Sequence, residues 1–149
     1  MDGEKLSVSI KTISSKTEID ANVVCAILNS GIFYFWFILF SDCRHLNMRE
    51  IENFPISYKT IDVQTKLSLK EKNVFLMADF EKNKNRKTTN YKTTGMVEYD
   101  EYFPKLSKPI IDEIDKELAK HYGFTDEELD FIINYDIKYR MGDELNSDD

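Results

Sequence analysis

Few residues in this chain of 149 residues could carry out catalysis, and none of them belongs to a complete catalytic pattern. Cys43 and His45 lie in one polar stretch and could in principle form a thiol–imidazole pair, but such a pair in a loop is weak evidence for nucleophilic catalysis. His121 is near the end of a predicted helix, where a cation interacts favourably with the helix dipole. With only two histidines, a multi-histidine metal site is excluded.

Three carboxylates that lie close together in the sequence, Asp112, Glu113 and Asp115, fall within one predicted helix. We interpret them as its exposed, solvated face rather than as an acid–base pair, because charged residues commonly cover the outer face of an amphipathic helix. The five glycines are isolated, so the chain lacks the glycine-rich turn with which a backbone approaches a nucleotide or a methyl donor. The sequence therefore predicts no catalytic, cofactor-binding or metal-binding residue in this chain.

The charge balance of the chain is acidic, with a net charge of −7 and a pI near 4.9. This balance argues against a nonspecific nucleic-acid binder, since neutralising phosphates requires an excess of Lys and Arg on the binding face. Acidic residues concentrate between Glu98 and Asp149, whereas the stretch from Lys82 to Lys92 is basic. Any DNA contact would therefore come from a local basic patch.

Two basic stretches supply the candidates for DNA contact. One is the polar loop around residue 45, and the other is the stretch 82–92, in which Asn and Thr are interleaved with Lys and Arg and suit contacts to phosphates and base edges. The same composition suits a plain exposed loop, and the residues alone favour neither interpretation. The candidate DNA-binding residues are Arg44, His45, Arg49, Lys82, Lys84, Arg86, Lys87 and Lys92.

The cysteines and the apolar stretches bear on where the protein resides. Two cysteines without a CxxC spacing favour a reduced, cytoplasmic setting, and the N-terminal residues lack the basic-then-apolar order of a secretory signal. The apolar stretch 23–40 is interrupted by Asn29, Ser30 and Gly31, which we interpret as a helix stop. Neither half reaches the roughly 20 residues that a membrane-spanning helix needs, so we expect a cytoplasmic protein without a membrane segment.

Hydrophobic periodicity predicts an α+β, mainly helical fold with short strands and packed helices. Alternating apolar and polar residues predict a strand over 6–13, and helical spacing predicts helices over 18–28, 48–53 and 62–82. The run 32–40 is apolar on every side, so we expect it to be buried on both faces. Its periodicity fits a helix or a central strand, and its length and its position directly after a helix favour the helix.

The middle of the chain predicts an amphipathic helix followed by a linker. A polar, basic linker is expected over 82–92, and a strand is expected within 91–99. The apolar residues predicted to form the buried face of helix 62–82 are Val63, Leu67, Val74, Met77 and Phe80.

The last third of the chain predicts a helical hairpin. Ser107 is the expected N-cap of one helix, Pro109 lies in its first turn, and Gly123 ends it. Thr125 and Glu128 form a capping box that begins the final helix.

We expect a single domain with three parts. A DNA-recognition-like helical segment covers residues 1–92, with the basic linker at 82–92. A C-terminal strand and the helical hairpin of the same domain cover 93–142, and a disordered acidic tail covers 143–149.

Two blocks of sequence resemble a known family. The first block is AILNS at 26–30, then an aromatic run, RHL at 44–46 and IENFPI at 51–56. The second block runs from YFPKLSKP at 102–109, through IDK at 114–116, to YGFTDEEL at 122–129. Together they resemble the C-terminal target-recognition region of N6-adenine DNA methyltransferases from type II and bifunctional type IIG restriction-modification systems.

This resemblance implies a region that holds double-stranded DNA while a separate catalytic domain or subunit flips and methylates adenine with S-adenosylmethionine. The chain departs widely from the whole family, because both the glycine-rich cofactor turn and the Asn/Asp-Pro-Pro-aromatic tetrad of such enzymes are absent. The expectation is therefore a gene fragment, a split subunit or an excised domain without its own cofactor. Whether the chain belongs to an enzyme depends on that catalytic part. The alternative is a helical protein–protein interaction module that docks onto a methyltransferase core.

Overall fold

The computed structural model describes residues 13, 19–93 and 95–135, and these residues confirm the α+β, mainly helical fold. The six helices in this part of the chain are α1 (Ala21–Leu28), α2 (Gly31–Phe40), α3 (Met48–Glu52), α4 (Val63–Asn83), α5 (Lys108–Tyr122) and α6 (Asp126–Ile133). Strands β1 (Asn85–Tyr91) and β2 (Gly95–Glu101) form a two-stranded antiparallel sheet, and a short 3-10 helix covers Pro104–Ser107. All but the last residue of the predicted strand over 6–13, and the whole predicted tail over 143–149, lie outside the described residues.

The core lies where α4 packs against α1 and α5. Ala26, Leu69, Leu76, Ile114 and Leu118 are fully buried there. Burial of a Leu or Ile side chain contributes about 1.5–3 kcal/mol, so these contacts are the main source of stability.

Helix α4 has the predicted bounds, but it buries a different face. Val63 is 72% exposed, and Leu67 and Val74 are exposed as well, so the expected apolar face is wrong in this part. The buried face instead contains Leu69 and Asn73. Asn73 donates a hydrogen bond to the Asn22 side chain on α1 at 3.1 Å. Because Asn73 is polar, the spacing of apolar residues does not identify it as part of the buried face.

Helix α2 confirms the helical interpretation of run 32–40, but the run is not buried on both faces. Ile32 and Phe33 are buried, whereas Leu39 and Phe40 are 54% and 59% exposed. The helix begins at Gly31, which therefore starts α2 rather than stopping α1. The helix then leads into an exposed loop, residues 41–47, which we call the α2–α3 loop.

The predicted linker over 82–92 is wrong, because most of it is strand β1. Residues 85–91 pair with 95–101, in a register that places Arg86 opposite Asp100 and Tyr91 opposite Gly95. The sequence analysis missed this strand because its side chains are polar and do not alternate with apolar ones. Pairs of opposite charges across the two strands stabilise their pairing. We call 85–101 the β-hairpin.

The C-terminal helical hairpin forms as predicted. Ser107 is at the predicted N-cap position of α5, but its side chain does not cap the helix, since its hydroxyl donates a hydrogen bond to the Asp79 carboxylate on α4 at 2.6 Å. Pro109 lies in the first turn of α5, and Gly123 ends this helix with φ 72°. Such a left-handed residue at a helix end is most easily accommodated by glycine. Thr125 and Glu128 form the expected capping box of α6.

Candidate nucleic-acid interface

The α2–α3 loop is shaped by hydrogen bonds from its own side chains. The Ser41 hydroxyl accepts a bond from the Cys43 amide at 3.0 Å, and the Asp42 carboxylate accepts one from the Arg44 amide at 3.1 Å. Cys43 has φ 56°, a left-handed conformation that is uncommon outside glycine and that concentrates at functional turns. With the loop in this conformation, Arg44 and His45 lie exposed on the surface.

One carboxylate, that of Asp42, lies in this loop beside Arg44 and His45. The hydrogen bond from the Arg44 amide holds the pKa of Asp42 below its usual range, so this carboxylate stays ionised. Within the described residues, however, no ion pair joins the side chain of Arg44 or of His45 to a carboxylate. The Arg44 guanidinium is therefore open to an external anion, whereas His45 interacts electrostatically with Asp42.

Buried Glu50 anchors the end of the loop and binds Arg49. Its carboxylate accepts a hydrogen bond from the Asn47 amide at 2.9 Å and pairs with the Arg49 guanidinium at 2.8 Å, which lowers the pKa of Glu50. The Trp36 indole N–H donates to the Glu50 carbonyl at 3.3 Å and so joins α3 to α2. Arg49 is exposed, but its charge is already balanced by Glu50.

At the base of the β-hairpin, three predicted DNA-binding residues are paired with carboxylates. Asp100 contacts both Arg86 and Lys84, and these two cations, Arg86 first, lower the pKa of Asp100 to about 2. Lys87 pairs with Glu101 at 2.7 Å across the strands. A phosphate group would have to compete with these carboxylates.

The outer half of the β-hairpin has a different composition. From residue 89 to residue 97 it contains no carboxylate, and Asn90, Tyr91 and Met96 are exposed there. Lys92 in the turn and Lys82 at the end of α4 are exposed and form no ion pair in the described part of the chain. The outer half therefore presents amide, phenol and ammonium groups, which can contact base edges and phosphates.

The eight predicted residues thus fall into two groups. One group belongs to the α2–α3 loop and the start of α3, and the other belongs to the end of α4 and the β-hairpin. Among the described residues no hydrogen bond or ion pair links the two groups.

Asp115 is a structurally important residue that the sequence analysis placed wrongly on a solvated face. It is fully buried, and its two carboxylate oxygens accept hydrogen bonds from the amides of Gly31 at 3.0 Å and Ile32 at 2.9 Å. Burial raises the pKa of Asp115 to about 6. The available signal was its position: it lies four residues after Ile111 and three before Leu118, on the apolar face of α5.

Asp115 joins the two sequence blocks that carry the family resemblance. A Cβ atom at Gly31 would lie 2.7 Å from a carboxylate oxygen of Asp115, so only glycine permits this close approach. The ring of Phe54 from the first block also packs edge-on against Tyr122 from the second, with centroids 6.4 Å apart. The two blocks are therefore packed against each other.

Comparison of the chain with known protein families, with curated proteins and with solved structures finds no match. Among the described residues no cluster of His, Cys, Asp or Glu is arranged to hold a metal ion. In the same part of the chain no single helix has the length and apolar character to cross a membrane, although α1 and α2 taken together, with a 61° bend, meet those criteria.

Proposed function

We propose that this chain is the target-recognition part of a restriction-modification N6-adenine DNA methyltransferase, located in the cytoplasm. Its role is to hold double-stranded DNA while a separate catalytic domain or subunit binds S-adenosylmethionine and methylates the flipped adenine. A linked endonuclease, as in bifunctional type IIG systems, is compatible with this role.

The observation that carries the proposal is the placement of the α2–α3 loop. The resembling residues on either side of it are packed, as Phe33 against Phe54 at 5.1 Å and Trp36 against the backbone of Glu50 show. Arg44 and His45 between them are exposed. A loop with exposed cationic and hydrogen-bonding groups on a rigid support is the usual construction of a binding site.

The β-hairpin supports the same role. None of its described side chains is buried, so it extends from the helical core as a two-stranded ribbon. The major groove of B-form DNA admits such a ribbon. We propose that its outer half approaches the base edges and that the α2–α3 loop contacts the backbone.

A second candidate function is favoured by the exposed apolar residues of α2. Leu39 and Phe40 lie exposed next to each other at the end of α2, and apolar side chains grouped at a surface are typical of protein interaction sites. In this alternative the chain acts as a helical module that docks onto a methyltransferase core.

The first prediction tests DNA binding through Arg44. Fluorescence anisotropy of a labelled duplex, at low salt, should show that Arg44→Ala weakens binding about fivefold to tenfold, because one uncompensated phosphate contact is lost. The matched control is Lys120→Ala, which removes an exposed cation of α5 that is paired with Glu117. It should leave the affinity unchanged.

The two candidate functions predict different outcomes. Equal affinities for the wild type and both variants would contradict a DNA-contacting loop. The docking module would be favoured by a different result. In that case the chain binds no duplex, either alone or with a catalytic partner, but forms a complex with that partner.

A further inference from the structure

An apolar groove lies between α2 and α6, and we call it the α2–α6 groove. One wall consists of Phe35, Trp36 and Leu39 on α2, and the other contains Phe131 and Ile132 on α6. The groove encloses about 700 Å³.

The aromatic rings of the groove already pack against each other in the free chain. The rings of Phe35 and Phe131 pack edge-on with their centroids 5.9 Å apart. The ring centroids of Trp36 and Phe40 are 4.1 Å apart. Phe131 is nonetheless 49% exposed. The groove is therefore preformed, which lowers the conformational cost of binding.

The α6 side of the groove is acidic. Glu127 and Glu128 line it, and Asp126 and Asp130 are exposed on the same helix. Glu128 also accepts the Thr125 amide in the capping box, but none of the four carboxylates forms an ion pair with a described residue. The sequence contains no Lys or Arg from 123 to 135 to balance them.

We infer that the α2–α6 groove binds an amphipathic helix of a partner protein, whose apolar residues enter the groove and whose Lys or Arg residues face the α6 carboxylates. Helices commonly bind in this way to apolar grooves. The lining residues span 32–39 of α2 and 127–132 of α6, about 9–12 Å, which matches about two turns of a bound helix. The uncompensated carboxylates favour a cationic partner and disfavour an anionic lipid surface. This inference does not depend on DNA binding.

The test compares two labelled helical peptides of about 15 residues with identical apolar positions, one with Lys and one with Glu along the polar face. Fluorescence anisotropy is measured with the full chain at low salt. We expect saturable binding of the Lys peptide, with an affinity about tenfold or more above that of the Glu peptide.

Variants of exposed residues locate the site without disturbing the core. Leu39→Ala and Phe131→Ala should each weaken binding of the Lys peptide about fivefold to tenfold. Leu67→Ala on α4, where Leu67 is 56% exposed, is the matched control and should have no effect. Glu127→Lys, which places a cation on the α6 wall of the groove, should reduce the preference for the Lys peptide to about threefold or less. Circular dichroism of each variant verifies the fold.

Several outcomes would overturn the inference. One is the absence of saturable binding, and another is equal affinity for both peptides. The inference would also fail if Leu67→Ala weakened binding as much as Phe131→Ala does. Binding of the chain to anionic vesicles but not to the Lys peptide would contradict it as well. A dimer in analytical ultracentrifugation that Phe131→Ala dissociates would assign the groove to a second copy of the chain. Arg44→Ala should not change the peptide affinity, so this result and the DNA result are independent.

Discussion

Asp115 is the residue on which the arrangement of the two sequence blocks depends most directly. Its buried carboxylate accepts hydrogen bonds from the first two backbone amides of α2. Amides at the start of a helix have no hydrogen-bond partner within that helix. This interaction connects α5 to the start of α2 and so helps to place the α2–α3 loop at the other end of α2. The helix dipole and the hydrogen bonds favour the ionised carboxylate, but its desolvation opposes ionisation more strongly and raises the pKa.

The raised pKa predicts a pH-dependent contribution to stability. The pKa of Asp115 rises from 3.8 to about 6 on folding, so the folded chain keeps a proton that the unfolded chain loses between these values. The stabilisation is fully present below about pH 4 and is lost as the pH rises through about 6. The free energy of unfolding of the wild type, relative to Asp115→Asn, should therefore fall by about 3 kcal/mol over this interval.

Urea unfolding followed by circular dichroism, at several pH values for both proteins, measures this difference. Other carboxylates change the free energy of unfolding with pH in the opposite direction, such as Asp62, whose pKa is lowered by the hydrogen bonds of Thr65. Their contribution is the same in the wild type and in Asp115→Asn, so it cancels in the difference. A difference that grows with pH would mean that the two amide bonds outweigh desolvation.

Among the secondary structure elements, sequence signals at the helix ends predicted where the helices lie. They did not predict which face of each helix is buried. Local signals such as Pro109, Gly123 and the capping box at Thr125 act within one turn, so α5 and α6 were predictable from sequence. The buried face of α4 was not, because Asn73 is satisfied by a residue 51 positions away in the sequence. Strand β1 was missed for a similar reason, since its pairing depends on carboxylates of β2.

The β-hairpin yields a prediction about those carboxylates. Asp100→Asn should raise the affinity for duplex DNA at low salt about threefold, because it removes the closer of the two carboxylate partners of Arg86, while Lys84 stays paired with Glu81. The thermal unfolding midpoint of the core should change little, since the hairpin contributes no residue to the buried cluster.

Anisotropy with the same duplex provides the measurement, and Asp112→Asn provides the control. Asp112 pairs with Lys108 on α5, so its replacement removes an equal charge away from the hairpin and should change the affinity less. If both variants raise the affinity equally, the effect is one of net charge and the hairpin does not face DNA.

For the whole molecule, the acidic net charge and a role in DNA recognition are compatible because the charges are segregated. The carboxylates at the base of the hairpin neutralise adjacent cations, while those of α6 border the α2–α6 groove. The sequence revealed the excess of acid and the two basic stretches. It could not reveal which cations are paired, because ion pairs such as Arg86 with Asp100 form only when the strands come together.

This pairing limits how steeply the proposed DNA binding can depend on salt. Of the predicted cations, only Arg44, Lys82 and Lys92 lack an ion pair in the described part of the chain. Each neutralised phosphate contributes about −0.9 to the slope of log affinity against log salt concentration, so a slope of about −3 is expected for the wild type. A slope near zero would contradict phosphate contacts, and one steeper than about −6 would mean that the paired cations exchange their carboxylates for phosphates on binding. In Asp100→Asn the slope should become steeper by about 1, because Arg86 loses its closer carboxylate partner and joins the contact, while Lys84 stays paired with Glu81.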